Sequence, residues 1–148
     1  NVVGGHSGAT IVPLLSQSGL DKGISSWDLN KITNKIQFGN EEIIKAKTVG
    51  SATLSMAYAG AEFTLSLLRA LNGAPNIVEC TYVDSSLIPG LSFFSSRVKL
   101  GQGGVETVYP IGEISAYEEQ LLSVCKKRLA IDIEKGKEFP YRRSNKYE

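Results

Sequence analysis

The order of patterned segments predicts an α+β domain. Three stretches repeat apolar residues every three or four positions, the signature of helices, near residues 25–46, 51–72 and 115–137. Between the second and third lies a run of β-branched and aromatic residues broken by a glycine-rich turn, which reads as neighbouring strands. Because these strands follow one another instead of alternating with helices, they form hairpins and not parallel crossover units.

Taken in order, Val2-Val3 is a short strand entering the glycine-rich turn Gly4-Gly5-His6-Ser7-Gly8. Residues 9–16 form a second, β-branched strand, which Pro13 places at a sheet edge or bulge. Residues 18–25 are a polar loop. Ser25 offers an N-cap to the first long helix, with Asp28 as a weak capping-box partner. Leu29, Ile32, Ile36, Gly39, Ile43 and Ala46 form its apolar face. Gly39 is out of place there, because glycine costs about 1 kcal/mol against alanine inside a helix.

Gly50 breaks this pattern, and Ser51 caps a second helix that stops at Asn72-Gly73. That helix carries two stripes, Met56-Gly60-Phe63-Leu67-Leu71 and the small-residue set Ala52-Ser55-Ala59-Ser66-Ala70. A helix apolar on two sides is expected to be covered on two sides, by its own core and by a neighbouring domain or subunit. Strands follow at 77–83, 93–100 and 105–109, the last two joined by Gly101-Gln102-Gly103-Gly104. Ser115 and Glu118 make a capping box for a last helix with the inner stripe Leu122, Cys125, Leu129 and Ile133. Lys135-Gly136-Lys137 is expected to end it, leaving 140–148 as a loose polar tail.

Composition narrows the function. The 148 residues are enough to bury one core, and a charge of +1 gives no field to draw nucleic acid or an anionic membrane. No apolar run approaches the ~20 residues of a membrane span. Two cysteines are too few for a disulfide framework; Cys80 and Cys125 are both expected as buried, reduced thiols, which suits an intracellular or organelle-matrix protein. Asn1 is neither an initiator nor part of a signal-peptide layout, and the start reads as the middle of a strand, so the chain looks cut from something longer.

One histidine and two distant cysteines offer no zinc spacing. Gly101-Gln102-Gly103-Gly104 has Glu at 106 and leads into a strand, so it cannot present a helix N-terminus to a pyrophosphate. No serine sits in a Gly-x-Ser-x-Gly elbow. Glu41-Glu42 and Glu118-Glu119 are helix neighbours that do not face each other. His6 remains, with two readings: a loop histidine capping a turn, or a general acid/base, since histidine exchanges protons near neutrality and flanking glycines allow close approach of a ligand.

Gly4-Gly5-His6-Ser7-Gly8 followed by Thr10-Ile11-Val12-Pro13-Leu14-Leu15-Ser16-Gln17 resembles the active-site segment of mitochondrial-type and bacterial malate dehydrogenases. Gly50-Ser51-Ala52-Thr53-Leu54-Ser55-Met56, Leu65 to Gly73, Val78 to Val83, Phe93-Phe94-Ser95, Gly104-Val105-Glu106 and Ile114 to Glu118 continue the resemblance in register, from Val2 to Phe139. It implies that 1–139 are the C-terminal catalytic and substrate domain of the lactate/malate dehydrogenase family, an antiparallel sheet with long packed helices. It also implies that the NAD-binding domain is absent from this chain, along with the Asp that orients the histidine and the arginines that clamp the substrate carboxylates.

By position, the resemblance makes His6 the proton-transfer group between malate and oxaloacetate and puts Met56 beside the nicotinamide of NAD. It puts Gly39 on the substrate-pocket wall and Ser51-Ala52 on its floor. The implied partners are the chain's own N-terminal NAD-binding domain and a second copy in a homodimer, in a mitochondrial or other organelle matrix. A lactate-type enzyme and a non-catalytic dimerisation or binding module are the alternatives, and Met56 and Gly39 also admit plain packing roles.

Overall fold

The computed structural model describes residues 1–47 and 53–144. Five strands make one antiparallel sheet: β1 (Val2–Gly4), β2 (Ile11–Pro13), β3 (Ile77–Asp84), β4 (Phe93–Gly101) and β5 (Gly104–Val108). Three helices pack around it: α1 (Ser26–Ala46), α2 (Leu54–Leu71) and α3 (Ala116–Ser144). The α+β class and the antiparallel hairpins are therefore as the sequence led us to expect.

Strand β4 is the axis of the sheet. β3 pairs along it from Ile77↔Leu100 to Asp84↔Phe93, so β1 and β5 must share its other edge, β1 at Ser95 and β5 from Val98 to Gly101. β2 pairs only with β1, as Val2↔Pro13 and Gly4↔Ile11, and Pro13 sits on the outer strand where its missing N–H breaks no ladder. This strand is shorter than the residues 9–16 expected; short 3₁₀ turns at Gly8–Thr10 and Ser16–Ser18 take its ends.

Two apolar clusters hold the layers together. The α3 stripe Leu122, Cys125, Leu129 and Ile133 buries against Val3, Val12, Leu14 and Phe94. Ala70 of α2, with Leu67 beside it, packs on Val98 and Leu100, with Ile77 and Val83 of β3 alongside. Ile77 and Val83 set the phase of β3, and a strand's two-residue period then turns Cys80 outward. Cys80 is therefore exposed, not buried as expected, whereas Cys125 is fully buried.

The helix ends follow local chemistry. Ser25 caps α1, its Oγ accepting the Asp28 N–H at 3.1 Å. Ser115 Oγ accepts the Glu118 N–H at 3.3 Å, while the Glu118 carboxylate accepts the Ser115 N–H at 2.8 Å, closing the expected capping box of α3. Asn72 and Gly73 (φ +87°) end α2.

Two boundaries differ. The cap of α2 is Thr53, whose Oγ1 accepts the Met56 N–H at 3.2 Å; Ser51 lies outside the described residues. α3 runs past Lys135-Gly136-Lys137 to Ser144, so 140–144 are helical where a loose tail was expected. Ion pairs one turn apart, Arg128–Asp132 and Glu134–Lys137, lie along its exposed stretch, each kind worth a few tenths of a kcal/mol, about 0.2–0.5.

The largest departure lies in α1. Its apolar stripe does not face the core: Ile32, Ile36 and Ile43 are exposed, and Thr33 and Gln37 turn inward instead. The first half of α2 is equally bare, with Leu54 90% and Tyr58 69% exposed.

Candidate active site

The turn between β1 and β2 is built around one buried threonine. Thr10 is 0% exposed. Its Oγ1 accepts the Ser7 N–H at 3.0 Å and donates to the Ser7 carbonyl at 2.8 Å, and its own carbonyl accepts the Gly5 N–H at 2.9 Å. The Cys125 thiol of α3 also donates to that carbonyl, at 3.3 Å. Burial pushes the Cys125 thiol up to about 11, so it stays protonated and serves as a donor and not as a nucleophile.

The glycines follow from this geometry. Gly4 has φ +104°, and a Cβ there would collide with the Thr10 carbonyl oxygen. At Gly5 a Cβ would come within 2.7 Å of Thr10 Oγ1, and at Gly8 (φ +42°) within 2.7 Å of the Phe38 ring. They permit the close approach of the protein to itself at Thr10 and Phe38. Substituting any of the three would shift the turn.

His6 is the residue left pointing out of this tight turn, and it is exposed. It lines a cleft of about 470 Å³ together with Ile11. α1 supplies the wall with Ile36, Asn40 and Glu41, and the first turn of α2 adds Ser55 and Met56. Two contacts seat α1 against the turn: Gln37 Nε2 donates to the Ile11 carbonyl at 2.8 Å, and the Phe38 ring covers Gly8. The Thr53 cap fixes where Met56 enters the cleft.

The structure thus brings His6 and Met56 to one cleft. Gly39 is on the helix that forms the wall but is not among the lining residues, and space beside it is open to 4 Å. Ser51 and Ala52 lie outside the described residues. Sequence reasoning missed Thr10, Gln37 and Phe38. The Ser7-x-x-Thr10 spacing resembles a cap and was a usable signal; nothing in the sequence marked Gln37 and Phe38 as the face that packs on the turn.

The described lining of the cleft is poor in charge. Among its lining residues none is Lys or Arg, and its carboxylate, Glu41, sits 3.9 Å from exposed Lys45. Among the described residues no side chain hydrogen-bonds the imidazole, no cluster could hold a metal ion, and no helix is long and apolar enough to cross a membrane.

An antiparallel sheet thus carries a histidine on a glycine-rich turn, open to a cleft whose described lining holds no Lys or Arg. The family described as lactate/malate dehydrogenase, alpha/beta C-terminal domain, matches residues 1–140, and this chain belongs to it. Mitochondrial malate dehydrogenase of Schizosaccharomyces pombe is 52% identical over 93% of this chain, and that of Saccharomyces cerevisiae 47% over 94%. A peroxisomal malate dehydrogenase of Arabidopsis thaliana is 47% identical over 93%.

The chain spans 41%, 42% and 39% of these relatives' lengths. Among solved structures, the malate dehydrogenase of Picrophilus torridus in its apo form superposes with a TM-score of 0.72 at 18% identity, over 97% of this chain and 46% of that one. That of Salinibacter ruber gives 0.67 at 22%, over 95% and 46%. At these identities the superpositions speak for the fold.

Proposed function

We propose that this chain is the substrate-facing part of an NAD-dependent malate dehydrogenase and that His6 is its proton-transfer group. The observation that carries the reading is the placement of His6: exposed, held at the mouth of a cleft by a buried turn, and shared with Met56. A histidine there can donate a proton to the carbonyl oxygen of oxaloacetate and take it back from the hydroxyl of malate, help typically worth about 10²- to 10⁴-fold.

NAD, when bound, supplies or accepts the hydride at the neighbouring carbon. The residues present fit only its nicotinamide end. Met56, 41% exposed, and Ile36 offer an apolar surface to a flat ring. Among the described residues no glycine-rich turn opens a helix toward a pyrophosphate. The dinucleotide therefore belongs mainly to an N-terminal domain, which also supplies the carboxylate that orients His6 and the arginines that pair with the substrate's two carboxylates. Gly39 on the wall, and Ser51 and Ala52 on the floor, complete the pocket when that domain closes it.

The bare apolar residues of α1 and α2 support the same reading, since the described residues leave Ile32, Ile36, Ile43 and Leu54 exposed. We assign their cover to the NAD-binding domain and to a second copy in a homodimer. Residues 1–139 are then the domain proper. Malate is favoured over lactate by the named relatives, and their mitochondrial and peroxisomal names favour an organelle matrix.

The test compares the complete protein with the 148-residue piece in the presence of NADH and oxaloacetate. The complete protein should consume NADH, and the piece alone should leave absorbance at the buffer rate. Turnover by the piece, or none by the complete protein, contradicts the proposal.

A further inference from the structure

His6 has two peptide neighbours, and one residue bonds to both. On one side Gly5 donates its N–H to the Thr10 carbonyl at 2.9 Å. On the other, Ser7 gives its N–H to Thr10 Oγ1 at 3.0 Å and takes that hydroxyl's proton on its carbonyl at 2.8 Å. The Thr10 N–H donates to the same Ser7 carbonyl at 2.8 Å. A hydroxyl has one proton and two lone pairs, so Thr10 Oγ1 can serve both groups of Ser7 at once.

Thr10 is itself immobilised. It is 0% exposed, its carbonyl accepts the Cys125 thiol of α3, and its β-branched side chain has few rotamers. The Cys125 thiol adds a hydrogen-bonding contact with the Gly5 backbone, whereas the side-chain hydrogen bonds of Ser7 run to Thr10.

We propose that Thr10 is the positioning residue of the His6 imidazole: it fixes the backbone on both sides of position 6 and so sets the direction in which the ring leaves the turn. This rests on the reading of His6 as the proton-transfer group. Thr10 does not touch the cleft; it acts through the turn alone. The hydroxyl is the part that matters, because Gly5 bonds to a main-chain carbonyl that every substitution retains.

The experiment uses the complete protein and the pair Thr10→Ser and Thr10→Ala, which differ only in the hydroxyl, with Thr10→Val as the variant that keeps the volume. Misplacing a catalytic group by about 1 Å can cost about 10²-fold, so kcat should fall at least ~10-fold in Thr10→Val and Thr10→Ala while KM stays within roughly threefold. Thr10→Ser should recover kcat to within roughly threefold of the parent. Amide hydrogen exchange across residues 4–8 should quicken in the two variants that lack the hydroxyl and not in Thr10→Ser.

A folded Val or Ala variant with parental kcat overturns the proposal, as does a Ser variant impaired as much as Ala. If Thr10→Val does not fold, the Ser–Ala pair decides. A complete parent protein with no turnover of malate or oxaloacetate overturns the reading of His6 itself. The exchange rates then decide the turn alone: quickening in Ala but not in Ser supports the role of the hydroxyl, and equal rates overturn it.

Discussion

Glu118 shows how a charged residue can be fixed deep in this fold. It is 2% exposed, yet its carboxylate accepts the Ser16 N–H at 2.9 Å, the Ser16 hydroxyl, and the Ser115 N–H at 2.8 Å. Burial pushes its carboxyl up, but these hydrogen bonds together outweigh burial and hold it below the ordinary value near 4.5. A group whose pKa is lowered by folding stabilises the native state above its unfolded value, and that stability is lost as pH falls through the folded one.

Glu118→Gln should therefore cost about 1–3 kcal/mol at neutral pH, the range for hydrogen bonds to a buried charge. The gap between parent and variant melting temperatures should narrow as pH drops below 4.5, and a gap independent of pH would remove this account. The capping role of Glu118 was legible from Ser115-Ala116-Tyr117-Glu118. Its reach to Ser16, 102 positions away, was not, because no local pattern encodes a tertiary partner. The turn around His6 was legible in the same partial way: its glycines marked a turn, while the reason for them emerged only from the crowding of Gly4, Gly5 and Gly8 against Thr10 and Phe38.

Among the elements, those governed by local chemistry were readable and those governed by long-range packing were not. The Ser25 cap, the Asn72-Gly73 stop and the β4–β5 hairpin follow from side-chain oxygens and glycine φ angles, which act within a few residues. The orientation of α1 was not legible, because apolar periodicity tells which residues seek cover and not where that cover lies. Gln37 and Thr33 face inward, and Ile32, Ile36 and Ile43 face out.

The same rule explains α2, where Ala70 and Leu67 are packed while Met56, Tyr58 and Ala59 stay open. The expected two-sided cover is thus half supplied. Ala59→Trp, placed on the open part, should leave the packing of Ala70 intact but weaken association of the complete protein. Sedimentation should show a shift toward smaller species, on the order of 1–3 kcal/mol of overpacking if the contact is close. An unchanged oligomer with unchanged stability would show that this part of α2 is free surface.

For the molecule as a whole, a domain with two well-defined cores carries an open cleft beside the histidine turn. The sheet, α3 and the last turns of α2 are self-sufficient, and the histidine turn is locked onto them through Thr10, Cys125 and Leu129. On the proposed function, charge for an anionic substrate, a carboxylate for the imidazole and cover for the exposed apolar residues of α1 and α2 come from outside the described residues. The chain spans 39–42% of the lengths of these relatives.

The central claim is that His6 moves the proton, and replacing it by Gln or Asn in the complete protein tests this most directly. Malate–oxaloacetate interconversion should drop by about 10²- to 10⁴-fold with the melting temperature unchanged, since the side chain is exposed and holds nothing in place. Interconversion at the parental rate in a folded His6→Gln protein would contradict the account.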